Sequence, residues 1–99
     1  MKYRILMLKD TAPAHKRFMP YDNVKLFGGI NGDDYECVYQ GEIEEGDTVQ
    51  ETLDRIFAQL NAFHPTDYNH RSLSVSDIIM LPGCNAIWYV DRIGFRKIF

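Results

Sequence analysis

Residues 48–60, TVQETLDRIFAQL, constrain the fold of this chain more than any other stretch. Val49, Leu53, Ile56, Phe57 and Leu60 recur on a 3.6-residue period and form one apolar stripe. Thr48, with Glu51 three residues later, makes a capping box. The threonine hydroxyl accepts from the N3 amide and the glutamate reaches back to the N-cap amide. Asn61 and Pro65 close the helix. An amphipathic helix of this length draws its stability from burial of its stripe, so the remaining chain must supply an apolar surface to receive it.

That surface is expected to be a sheet. Residues 3–9, YRILMLK, are an apolar run of strand length, suited to burial on both faces. Residues 34–43, DYECVYQGEI, alternate in part. Tyr35, Cys37 and Tyr39 are expected on one face, with Glu36, Val38 and Gln40 on the other, as in a half-buried strand. Residues 77–92 read as a β-hairpin turning at PGCN, from the β-branched content of DIIMLP and NAIWYVDR. IGFRKIF adds a short extended piece, an edge strand near 94–98. Pro20 suits the first turn of a short helix near 20–27. Val24 and Phe27 lie three apart, and Gly28 can supply a left-handed cap. GGINGDD is turn chemistry. The order is β-α-β-α-β-β. The expected architecture is a single α+β domain over 1–99, with a small mixed or antiparallel sheet of four to five strands and two helices.

Charge is distributed unevenly. Residues 1–25 hold six Lys/Arg against two Asp, and residues 55–99 hold five basic against three acidic residues. Residues 26–54 hold nine acids and no base: Asp33, Asp34, Glu36, Glu42, Glu44, Glu45, Asp47, Glu51 and Asp54. Scattered basic residues and a pI near 5.5 speak against direct nucleic-acid binding. No apolar run approaches the ~18 residues of a membrane span. MKYRILMLKD lacks the longer apolar core of a secretory signal and reads as the first strand of a cytoplasmic protein. Cys37 and Cys84 have no CxxC spacing and are expected to be reduced. Cys37 is expected as a small buried hydrophobe and Cys84 in an exposed turn.

HRSLSVSD, residues 70–77, places His70, Ser72, Ser74, Ser76 and Asp77 within one short stretch. A hydrolytic site would draw these residue types from separate elements, with the serine on a strained turn such as GxSxG. Here the alternation of Leu73 and Val75 with serines favours a structural turn, its hydroxyls satisfying backbone groups. His15, His64 and His70 have no metal-ligand spacing. Asp33, Asp34 and Glu36 would hold Mg²⁺ only if the fold gathered them with further carboxylates. GGINGD lacks both the GxGxxG order and the Lys-Ser/Thr of a P-loop. No catalytic residue, metal or cofactor is expected.

LKDT (8–11), RFM (17–19), YECVYQGEIEEGDT (35–48), SLSVSDII (72–79) and YVDRIGF (89–95) together resemble the YodL-like family, in the same order and through nearly the whole chain. The resemblance implies a small domain of Firmicutes plasmids and integrative conjugative elements, and no catalytic residue is carried over with it. Proteins of that setting include anti-restriction and anti-CRISPR inhibitors, compact and acidic, that occupy an effector's nucleic-acid surface. The acidic block has two readings. It is a solubilising face, or it is a docking surface that imitates phosphates and steers association with a basic partner. On the second reading the partner-binding residues are Asp33, Asp34, Glu36, Glu42, Glu44, Glu45 and Asp47. The expected function is then a cytoplasmic, non-enzymatic binding module, monomer or homodimer, that inhibits a host defence nuclease such as a Cas effector or its ribonucleoprotein. The alternative is an accessory or homo-oligomeric interaction domain with no anti-defence role, in which the edge near 94–98 supplies the contact.

Overall fold

The structure is a computed structural model that describes residues 2–43, 48–62, 65–84 and 86–98. Five strands, β1 (Lys2–Leu8), β2 (Tyr35–Glu42), β3 (Ile78–Leu81), β4 (Ala86–Val90) and β5 (Phe95–Lys97), form one sheet in the order β2-β1-β3-β4-β5. Every neighbouring pair is antiparallel. Of the two sheet types left open by the sequence, the structure has the antiparallel one. Two helices, α1 (Tyr21–Leu26) and α2 (Val49–Asn61), complete an α+β domain.

α2 forms as its sequence dictates. Thr48 Oγ1 accepts from Glu51 N at 3.2 Å, and Glu51 Oε1 accepts from Thr48 N at 3.2 Å. Hydrogen bonds from the Thr48 side chain and backbone amide hold the Glu51 carboxyl below its ordinary value. Leu53, Ile56 and Leu60 are buried against Tyr3, Ile5, Met7, Ile79, Leu81 and Val90, and this is the main core. Each such side chain contributes about 1.5–3 kcal/mol by leaving water.

The opposite face of the sheet carries a smaller core, where Val24 of α1 packs on Ile78 and Tyr89. Polar bonds fix α1 over the β4–β5 hairpin. Tyr89 donates its hydroxyl to Met19 O at 2.6 Å, and Tyr21 N donates to Asp91 Oδ1 at 3.1 Å. The Arg96 guanidinium lies 5.1 Å from the Tyr21 ring centre and pairs with Asp22 at 3.2 Å. Gly28, at φ +99°, lets the chain turn off α1 so that Gly29 N reaches Val24 O at 2.8 Å. Phe27 is exposed at this end, so Val24 alone anchors the short helix from its expected pair.

Three local expectations are corrected. β1 is covered on both faces only in its C-terminal half. Lys2 and Arg4 are exposed, because the smaller core reaches β1 no further than Leu6. The simple alternation of β2 breaks at a β-bulge. Ile5 pairs with Tyr39 and Leu6 with Cys37, leaving Val38 as the extra residue. Val38 and Tyr39 therefore both pack toward the α2 core, while Tyr35 packs on the other side of the sheet. Cys37, expected as a buried hydrophobe, is an exposed free thiol on this strand.

Candidate partner-binding edge

β2 lies at one end of the sheet and pairs with β1 alone among the described strands. Its ends are held from within. At the N-terminal end, Asn31 accepts from Asp33 N at 3.1 Å and shapes a 3-10 turn over Gly32–Asp34. Tyr35 donates its hydroxyl to Ser76 O at 2.7 Å. Further along, the Tyr39 ring meets the edge of Tyr68 at 5.1 Å, and its hydroxyl donates to Asp67 Oδ1 at 2.9 Å. Gly41 lies directly under the Tyr3 ring, and a Cβ there would stand 2.5 Å from Tyr3 Cζ. A glycine inside a strand pattern is a sign of such close approach, and this one is readable in YQGEI.

The structure spreads the acidic residues rather than gathering them. Asp34 is engaged with Lys16, Nζ to Oδ2 at 2.5 Å. Asp33 is exposed in the 3-10 turn. Glu36 sits opposite Met7, so it projects on the α2 side of the sheet, and Glu42 sits opposite Lys2, on the other side. Six positions apart on a regular strand would place them on one face; the bulge reverses that. Both are exposed and form no ion pair among the described residues. Glu36 shares a shallow cleft of about 290 Å³ with Asp10, Arg17, His70 and Arg71. Glu44, Glu45 and Asp47 lie outside the described residues, as does His64.

The serine block is a turn built around a buried carboxylate. Asp77 is fully buried and accepts from Arg71 Nη2 at 2.6 Å and Nη1 at 2.8 Å, and from Ser74 N at 2.9 Å. Burial pushes the Asp77 carboxyl above its ordinary value, against the pull of Arg71 and the Ser74 amide. The same bonds raise Arg71 further. Among the described residues Asp77, rather than a serine hydroxyl, accepts from the backbone here. Ser74 Oγ instead accepts from Arg71 Nη1 at 3.0 Å. Ser76 takes φ +90°, a strained value for a residue with a Cβ. Ser76 N donates to Val90 O at 3.0 Å, and its carbonyl receives Tyr35. His70 is exposed, its ring 5.7 Å from that of Tyr68. The Arg71–Asp77 pair was missed in the sequence because nothing in RSLSVSD distinguishes a buried aspartate from a solvated one.

Among the described residues no group of His, Cys, Asp and Glu is placed to hold a metal ion, and no helix is long and apolar enough to cross a membrane. The family model for the YodL-like domain matches residues 2–99. The chain belongs to the YodL-like family. No curated protein and no solved structure matches it. The segments that carried the resemblance are structural parts of the YodL-like domain. SLSVSDII is the Asp77 turn leading into β3, and YVDRIGF is the β4–β5 turn that holds α1.

Proposed function

We propose that this YodL-like domain is a non-enzymatic binding module that docks β2 and its flanking turn against a basic surface of a protein partner. The observation that carries the reading is the position of Glu36 and Glu42. Both are exposed and free of ion pairs among the described residues, on a strand that ends the sheet. Carboxylates on a fixed strand hold a defined spacing, which is what imitation of a phosphate backbone requires. Asp33 extends the charge at one end, and Glu44, Glu45 and Asp47 continue it in sequence at the other. Asp34 belongs to the support, because Lys16 holds it.

The partner class that suits such a surface is a nuclease with a basic nucleic-acid groove, as in a Cas effector of host defence. The test is a DNA-cleavage assay on purified CRISPR and restriction nucleases, with the wild-type domain and a Glu36→Lys/Glu42→Lys variant. Wild type should suppress cleavage by a nuclease it binds, the variant should not, and added salt should weaken the suppression. Equal suppression by both proteins removes the acidic-strand reading. No suppression of any nuclease removes the inhibitor reading and favours an accessory interaction domain.

A further inference from the structure

Resting on the reading of β2 as the partner-binding element, we infer that this edge binds by strand addition. The occupant is an extended basic segment of the partner, with two Lys or Arg residues five positions apart.

The outer side of β2 is an eight-residue edge, while β5 at the other end of the sheet has three residues. An open edge offers backbone donors and acceptors to another extended chain, and its side chains choose which chain. A second copy of this domain is a poor choice. Its own β2, Tyr35–Glu42, holds no Lys or Arg to meet Glu36 and Glu42. The same two carboxylates favour a cationic strand.

The bulge sets the spacing. β1, the strand already paired with β2, shows how an unbulged neighbour reads it. Lys2 falls opposite Glu42 and Met7 opposite Glu36, so the two carboxylates are met by positions five residues apart. Five is an odd number, and the two positions point to opposite faces of the added strand, as Glu36 and Glu42 do. A cation spacing of four or six would place both charges on one face and satisfy only one carboxylate. The two ends are unequal. Arg17 and Arg71 share the cleft beside Glu36, whereas Asp67 and Lys2 flank the Glu42 end. Glu42 therefore carries more of the attraction.

The experiment uses the full chain and three end-capped peptides of alternating Thr and Val. One carries lysines five apart, one carries them four apart, and one repeats the five-spacing with alternate backbone nitrogens methylated. Binding is followed by NMR titration and amide hydrogen exchange. The five-spaced peptide should protect β2 amides. It should bind about three- to tenfold more tightly than the four-spaced one, with the methylated peptide failing. Glu42→Lys should weaken binding more than Glu36→Lys. Equal binding of all three peptides overturns strand addition and leaves only a charge contact. Suppression of a nuclease by the domain, with no peptide protecting β2, overturns this inference while the proposed function stands. Loss of that suppression and of peptide binding together removes both. Concentration-dependent self-association that protects β2 without peptide also overturns it, since the occupant is then a second copy.

Discussion

Arg71 and Asp77 form a two-pronged ion pair in which the carboxylate is wholly buried and the guanidinium stays 42% exposed. The pair is lopsided. Arg71 keeps part of its hydration, whereas Asp77 has exchanged water for Arg71 and the Ser74 amide. Replacing Arg71 with Met should therefore cost about 3–5 kcal/mol at neutral pH, because it strands a buried charge. Removing the cation also lifts the Asp77 carboxyl further above its unfolded value. A raised folded-state value means stability is fully present below the unfolded carboxyl range and is lost as pH rises through the folded value. Urea denaturation should show the gap between wild type and Arg71→Met narrowing toward acid. A gap independent of pH would place the loss in turn packing.

Gly41→Ala should destabilise the domain by about 1–3 kcal/mol, because the added methyl collides with a buried tyrosine ring. In the double variant with Tyr3→Leu the two costs should fall short of additivity. Strict additivity would mean that the ring moves freely away from β2.

Tyr3, Tyr35 and Tyr89 resist ionisation. Burial is the largest cause in each case, pushing Tyr3 to about 12 and raising Tyr35 and Tyr89 as well. Their stabilising contribution is complete below the unfolded tyrosine range and is lost as pH rises through the folded values. Tyrosinate absorbance near 295 nm and loss of circular dichroism should thus rise together above about pH 10. Full ionisation of all six tyrosines with the fold intact would contradict their burial.

Thr52 is buried on α2, and its Oγ1 has no hydrogen-bond partner among the described residues. Thr52→Val keeps the shape and removes the stranded hydroxyl, so the thermal midpoint should rise, by about 1–2 kcal/mol of stability. A fall would reveal a bridging water at the hydroxyl.

Local patterns predict the right elements where local forces decide. The capping box and stripe of α2 needed only residues within one helix, and the β3–β4 hairpin needed only two strands and a turn. What failed depended on distant partners. The bulge at Val38 exists through pairing with Ile5 and Leu6, so alternation within DYECVYQGEI could not show it, and Cys37 was placed inside. Counting carboxylates in the acidic block could not show that Lys16 takes Asp34, or that the bulge turns Glu36 and Glu42 to opposite faces.

The strand order also sets a schedule for synthesis. Ile5 has Tyr39 on one side and Ile79 on the other. At about 5–20 residues per second, β3 leaves the ribosome roughly 4–15 s after β1. Through that interval the first strand made has an open flank along Ile5 and Leu6. A nascent chain of this domain is thus most exposed to misassembly in its earliest segment, and it becomes safe only when its last third arrives.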